Sequence, residues 1–183
     1  METSRYALVA YAVNSAGQFV ETVRRELHPH LPHMSAHLTI LPPRRLLGSE
    51  TAARELIEEI CSQEEPFDVE LGEVLSFLPH SPTIYVEVAR GASQMCHLHG
   101  RLDIGVLGGA EDWAYEPHFT IVKMSTASEA QPAYDLVRRQ WSQYQGSRRV
   151  RVEGLTFVRE TSDLKWIDLA SVTLGRKLAS HRG

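Results

Sequence analysis

Two short stretches of this sequence, His37-Leu38-Thr39-Ile40 and His118-Phe119-Thr120-Ile121, repeat the same order of residue types. Side chains two positions apart in a strand point to the same side of the sheet. In each stretch the histidine and the threonine therefore share one face, and the two apolar residues share the other. This pattern is typical of a strand that covers a hydrophobic core on one side and lines a cleft on the other.

The surroundings of the two stretches repeat as well. His118 lies 81 positions after His37, and the helices predicted after the two motifs begin near Ser49 and Glu129, at about the same separation. Each half of the chain reads strand, helix, His-x-Thr strand, helix, strand, which indicates a duplicated unit. We predict an α+β fold of two lobes, approximately residues 4–78 and 83–172, with antiparallel sheets and outer helices. Pseudo-twofold symmetry between the lobes would place the two His-x-Thr strands face to face across a central cleft.

Hydrophobic periodicity and capping residues predict the individual elements. The proline pair Pro42-Pro43 is expected to end the first His-x-Thr strand, because proline lacks a backbone donor, and this leaves Arg44 in a loop. The predicted strands cover residues 6–13, 36–41, 67–78, 83–88, 119–124, 149–158 and 164–170, and the predicted helices cover 16–27, 49 to about 65, 92–102 and 129–144.

Composition limits the kinds of partner. The 183 residues carry a net charge of −4, which argues against a broad basic surface that grips long duplex nucleic acid. A small anionic ligand in a locally positive cleft is compatible with this charge. The sequence shows no signal-peptide layout and no apolar stretch near the ~18 residues that span a bilayer, so we expect a cytoplasmic monomer with no membrane partner. Cys61 and Cys96 form neither a disulfide framework nor a zinc pattern.

The duplicated motif and the order of elements resemble the two-histidine (2H) phosphoesterase superfamily, which contains 2'-5' RNA ligase-like proteins and cyclic phosphodiesterases. The residues that carry the resemblance are His37-Leu38-Thr39-Ile40 and the stretch from Pro117 to Lys123. The resemblance implies a phosphoesterase that acts on a cyclic phosphate or a 2'-5' linkage of a nucleotide or RNA end. It also implies His37 as the acid and His118 as the base, and Lys123 matches a basic residue that often follows the second motif.

The residue types suit this chemistry. Hydrolysis of a 2',3'-cyclic phosphate needs a base for water, an acid for the departing ribose oxygen, and donors for the phosphate oxygens. Two imidazoles can supply the base and the acid, because the ordinary histidine pKa is about 6.5. The hydroxyls of Thr39 and Thr120, on the same faces, can donate to the phosphate. The scheme requires neither a metal nor a cofactor.

Sequence alone leaves several alternatives open. The same histidine pair could join RNA ends, and a non-catalytic module that binds a nucleotide or an RNA end would also fit. Pro42-Pro43 departs from the RNA ligase-like members and leaves the substrate unassigned. Arg44 and Lys123 are candidates for phosphate binding, although Lys123 points away from the cleft unless a bulge intervenes. The candidates for stacking a base are Tyr85 first, then Phe77, Phe157 and Trp166.

Overall fold

The computed structural model describes residues 4–28 and 34–175. Within these ranges the chain forms eight strands, four α-helices and one 3₁₀ turn, Gly105–Leu107. None of the helices in the described ranges is long and apolar enough to cross a membrane. The strands are β1 Tyr6–Tyr11, β2 His37–Arg44, β3 Phe67–Ser76, β4 Thr83–Arg90, β5 His118–Lys123, β6 Arg149–Val152, β7 Gly154–Glu160 and β8 Trp166–Thr173, and the helices are α1 Ser15–Leu27, α2 Glu50–Cys61, α3 Ala92–Leu102 and α4 Ala127–Ser142.

Side-chain caps fix where the helices begin. Asn14 accepts a hydrogen bond from the backbone of Gly17 at the start of α1, and Ser49 accepts one from Ala52 at the start of α2. Asparagine and serine are preferred at this position, because their side-chain oxygens accept a hydrogen bond from the first free backbone donors of a helix. Helix α4 begins earlier than predicted, because Thr126 and Glu129 form a reciprocal capping box.

Two antiparallel four-stranded sheets form the centre of the fold. Sheet A has the strand order β2-β1-β7-β8, and sheet B has the order β5-β4-β3-β6. The two strands that carry the motifs, β2 and β5, are edge strands of different sheets and contact each other. The predicted α+β fold with two antiparallel sheets is confirmed, and the motifs meet where the two sheet edges adjoin.

The sheets do not follow the two halves of the chain. Strand β3 precedes the predicted boundary at residues 78–83, yet it pairs with β4 beyond that boundary. Strand β7 returns to pair with β1. The single strand predicted at 149–158 is two strands, β6 in sheet B and β7 in sheet A. That prediction was wrong because the hydrophobic pattern continues across the point where the chain changes sheets.

A bulge interrupts each motif strand at the equivalent position. The register of β2 against β1 shifts at Ile40, and the register of β5 against β4 shifts at Ile121. The residues that follow, Leu41 and Val122, are buried as well. An extra residue of this kind changes the face on which the next side chains of the strand lie.

Strand β2 continues through Pro42 and Pro43 to Arg44. The prediction that the proline pair ends the strand was therefore wrong. Because β2 is an edge strand, prolines there need not break a ladder of hydrogen bonds on both sides. Arg44 is consequently fixed at the end of a strand rather than carried by a loop.

One main hydrophobic core joins both sheets and all four helices. Trp141 of α4 is 1% exposed, and its indole N–H donates to the carbonyl oxygen of Gly72 at 2.9 Å. The ring stacks on Tyr144, with ring centroids 4.9 Å apart, and also contacts Phe19 of α1. Trp141 thus ties α4 and α1 to sheet B.

Trp141→Ala is expected to lower the free energy of unfolding by about 3–5 kcal/mol, because it leaves a large cavity in the core. Trp141→Phe keeps an aromatic ring in the core, although a smaller one, and loses the N–H donor, so it should cost less. Urea unfolding followed by far-UV circular dichroism measures both values. Equal losses in the two variants would show that the hydrogen bond to Gly72, rather than packing, dominates.

Candidate active site

The two motif histidines are held in the same way. Nδ1 of His37 lies 2.6 Å from the carbonyl oxygen of Ser35, and Nδ1 of His118 lies 2.6 Å from that of Glu116. A carbonyl oxygen can only accept a hydrogen bond, so Nδ1 is the protonated nitrogen of each ring. Nε2 is then the nitrogen of each ring that can take or give a proton. The matching geometry of the two rings follows from the duplicated sequence around them.

The motif threonines accompany the histidines on the open faces of their strands. In β2 and β5 alike, the histidine and the threonine are partly exposed and the apolar residue between them is buried. This confirms the division of faces that the alternating sequence predicts. The structure therefore places His37 and Thr39 on one of two contacting edge strands, and His118 and Thr120 on the other. Thr39 and His118 also line a cavity at this contact, whereas His37 and Thr120 are not among its lining residues.

A buried arginine anchors β5 from the other half of the molecule. Arg24 of α1 donates to the carbonyl oxygens of Thr120 at 3.0 Å and Ile121 at 2.6 Å. It also donates to the carbonyl oxygen of Met34, at 2.8 Å, just before β2. The side chain is 7% exposed and lies 3.8 Å from the Glu21 carboxylate. Arg24 thus satisfies the free edge of β5 beside one motif threonine and holds the approach to the other motif.

Strand β2 is anchored by an equivalent arrangement. The Tyr115 hydroxyl donates to the carbonyl oxygen of Thr39 at 2.8 Å, and Nδ1 of His99 lies 2.8 Å from that of Ile40. The rings of His99 and Tyr115 stack, with their centroids 4.0 Å apart. Sequence reasoning missed Arg24, His99 and Tyr115, because the pattern of a single helix or loop does not show which distant strand a polar side chain reaches.

The environments of the two histidines favour their neutral forms. Burial lowers the pKa of His37 to about 4; its hydrogen bond to Ser35 opposes this, and the charges of Arg24 and His118 add to it. Burial also lowers the pKa of His118, against the raising effects of its hydrogen bond to Glu116 and of the Glu116 charge. Both rings are therefore neutral at pH 7 in the free protein. A bound phosphate would favour protonation, because a nearby negative charge stabilises an imidazolium.

Tyr85 does not lie where it could stack a base. Its ring is 6% exposed and is covered by Phe77, with centroids 4.2 Å apart and the rings nearly parallel. Both aromatic rings pack edge-on against His118, at 5.3 Å from Tyr85 and 5.1 Å from Phe77. Tyr85 therefore packs against His118 from within the protein, and Phe77 is the aromatic side chain that lines the cavity.

Arg44 reaches the cleft but is already paired. Its guanidinium contacts the carboxylates of Asp103, at 2.5 Å, and Glu111, and its side chain is 10% exposed. Both carboxylates compensate its charge, and a contact between Arg44 and a substrate phosphate stays a prediction. His99, Asp103 and Glu111 have donor atoms within 4.8 Å of one another, an arrangement that could suit a metal ion. Arg44 already supplies the positive charge between the two carboxylates, so these residues do not fit a cation.

Lys123 is the exposed last residue of β5. Without a bulge, Lys123 would lie on the opposite face of β5 from His118 and Thr120. The extra residue at Ile121 brings Lys123 to the same face as these two residues. Lys123 does not line the cavity that adjoins the two motifs. A contact between Lys123 and a substrate stays a prediction.

A cavity of about 710 Å³ opens beside the motifs. Thr39 of the first motif and His118 of the second both line it. The remaining walls come from β2 after Thr39, the turn between β3 and β4, and the segment 110–116 before β5. The volume lies within the range of about 300–1,000 Å³ that is usual for small-molecule sites.

Comparisons with known proteins identify a family that matches most of this chain. The model of the 2'-5' RNA ligase superfamily matches residues 12–164. A protein of Geobacillus thermodenitrificans named "Putative phosphoesterase" is 25% identical over 139 residues, which cover 74% of this chain and 79% of the relative. A protein of Bacillus cytotoxicus with the same description is 30% identical over 111 residues, which cover 59% of this chain and 63% of the relative.

Solved structures share the fold at low sequence identity. LigT of E. coli, in a complex with NADP+, is similar with a TM-score of 0.67 and 14% identity, over 96% of this chain and 100% of LigT. TT0787 of Thermus thermophilus is similar with a TM-score of 0.66 and 14% identity, over 94% of this chain and 99% of that protein. LigT has also been crystallised with phosphate and with 3'-AMP.

Proposed function

Because the chain belongs to the 2'-5' RNA ligase superfamily, we propose that it is a 2H phosphoesterase that hydrolyses a 2',3'-cyclic phosphate of a nucleotide or RNA end, or a 2'-5' phosphodiester. The observation that carries the proposal is the matching presentation of Nε2 by His37 and His118 on two contacting edge strands. The name of the phosphoesterase relatives and the complexes of LigT with phosphate and 3'-AMP support it.

The proposed reaction moves protons through the two imidazoles. One neutral Nε2 takes a proton from water while the water oxygen bonds to phosphorus. The protonated Nε2 of the other ring gives its proton to the ribose oxygen as the phosphorus–oxygen bond to that atom breaks. The hydroxyls of Thr39 and Thr120 donate to the non-bridging oxygens as charge develops there.

The two lowered pKa values favour one assignment of roles for hydrolysis. His37, whose pKa is about 4, is the ring more fully neutral in the free protein, which suits the base. His118 then acts as the acid once bound phosphate has raised its pKa. This order is the reverse of the one that the family resemblance implies.

We expect kcat/KM for a 2',3'-cyclic nucleotide to peak below pH 6.5. The active form needs one neutral and one protonated ring, and both pKa values of the free protein lie below the ordinary histidine value. The rate should rise above about pH 4 as His37 loses its proton, and fall as His118 becomes neutral. Initial rates from pH 4 to 9 at constant ionic strength measure the profile, and a peak above pH 7 would contradict it.

Turnover of the four 2',3'-cyclic nucleotides in the presence of EDTA tests the function directly. Hydrolysis that EDTA does not slow supports a two-histidine reaction without a metal, and the position of the phosphate on the product gives the regiochemistry. If all four are inert while a 2'-5' dinucleotide is cleaved, the mechanism stands with a different substrate. Binding without turnover of either class would favour a non-catalytic module.

Ligation is the second candidate, and the family to which the chain belongs favours it. A reaction catalysed in one direction is catalysed in the other, with the acid and base roles exchanged. Incubating an RNA that ends in a 2',3'-cyclic phosphate with one that begins with a 5'-hydroxyl, and resolving the products on a denaturing gel, would reveal joining.

A further inference from the structure

The cavity beside His118 contains aromatic groups that the acid–base reaction does not use. Phe77 lines it, and one face of its ring is covered by Tyr85. Trp113 stands at the rim and is 78% exposed, with its ring centroid 6.3 Å from that of His80. The three rings that line the cavity, Phe77, His80 and Trp113, come from two segments, the turn after β3 and the segment before β5. Together they offer flat ring surface in the cavity that His118, the proposed acid, also lines.

The segment that carries Trp113 is fixed to the site. Two positions before Trp113, Glu111 pairs with Arg44, and two positions after it, the Tyr115 hydroxyl bonds to the carbonyl of Thr39. The backbone that carries the indole is therefore anchored on both sides. A surface that is already in place loses less entropy on binding than a mobile one.

The charges of the cavity favour a neutral ring over a further phosphate. Asp112 and Glu116 line it, and within residues 4–28 and 34–175 neither carboxylate forms an ion pair. The arginine of the cavity, Arg44, is already compensated by Asp103 and Glu111. A second phosphate would meet uncompensated negative charge. A nucleobase brings no charge, and its N–H groups could donate to the carboxylates.

We propose that Trp113, Phe77 and His80 form a base-binding subsite that stacks the nucleobase of the substrate. The inference rests on the proposed function, since it needs the phosphate to lie between the two motifs. A group attached to that phosphate can enter the cavity, because Thr39 and His118 belong both to the motifs and to the cavity wall. Recognition by stacking tolerates different bases, since every base has a flat π-face.

The affinities of the full chain for adenosine and cytidine 3'-monophosphates and for inorganic phosphate, measured by isothermal titration calorimetry, test the subsite. Trp113→Ala should weaken the binding of both nucleotides by about 5- to 100-fold and leave the affinity for phosphate unchanged. Trp113→Phe should keep most of the nucleotide affinity. Leu164→Ala, at a residue 67% exposed and outside the cavity, is the matched control and should bind like wild type.

Two results would overturn the subsite. The first is nucleotide affinity that does not change in Trp113→Ala, and the second is an equal loss for nucleotides and phosphate, which would place Trp113 at the phosphate site instead. Turnover of 2',3'-cyclic AMP measured in parallel separates this inference from the function. A protein that binds nucleotides through Trp113 without hydrolysing them would overturn hydrolysis alone. A protein that hydrolyses them with no dependence on Trp113 would overturn the subsite alone.

Discussion

Alanine in place of His37 or His118 should lower the turnover of a 2',3'-cyclic nucleotide by about 10²–10⁴-fold, which is the usual contribution of a general acid or base. Each substitution removes the only Nε2 that its motif contributes, while the buried apolar residues of the strand remain. The measurement is kcat under saturating substrate, with circular dichroism to show that the variants are folded. His97→Ala is a matched control, because this histidine of α3 has a side chain 60% exposed and pairs with Glu64.

The double variant distinguishes a cooperating pair from two independent contributions. Groups that act in one step are far from additive, so the variant that lacks both histidines should be little slower than the slower single variant. The pH profiles of the single variants would also assign the roles. Under our assignment, His37→Ala loses the rising limb at low pH and His118→Ala loses the falling limb. Losses that simply multiply in the double variant would speak against a shared proton-transfer step.

Arg24→Met should lower the free energy of unfolding by about 3–5 kcal/mol, even though the residue lies outside both motifs. The substitution removes the donor from three backbone carbonyl oxygens, at Thr120, Ile121 and Met34. A buried acceptor without a partner costs about 1–3 kcal/mol. Arg24→Lys keeps the charge but cannot reproduce the planar fork of donors, so it should be intermediate. Urea unfolding of the three proteins at one pH gives the comparison, and an Arg24→Met variant as stable as wild type would contradict it.

Arg24→Met should also change the pKa of His37 in the candidate active site. Arg24 contributes to the lowered pKa of His37 by its charge. In Arg24→Met the pKa of His37 should rise, whereas Arg24→Lys should retain most of the lowering. Titration of the His37 ring protons by NMR measures this. A purely structural loss of stability, with the pKa of His37 unchanged, would show that the positive charge does not act on the motif.

The parts of the site that sequence could predict are those that depend on neighbours along the chain. Alternation within six residues places each histidine beside its threonine on one face, and the 81-residue repeat brings the two motifs together. Alternation also places Tyr85 on the cleft side of β4, but it does not reveal that Phe77 covers it. Arg24 was missed for a related reason: in sequence it looks like one of the two arginines of an amphipathic helix. Its partners lie 96 and 97 positions away, a proximity that only the folded chain creates.

The placement of β7 beside β1 has a consequence for the newly made chain. Tyr6 faces Arg159 across that pair, so one side of β1 must wait for more than 150 further residues to be synthesised. At about 5–20 residues per second the delay is roughly 8–30 s. During that time β1 can pair with β2 on one side only, and its other edge offers unpaired backbone groups to any neighbouring nascent chain. The residues that build the cleft are thus all made before β7, and sheet A can close only late in translation, so the ribosome-bound chain is exposed to misassembly during this interval.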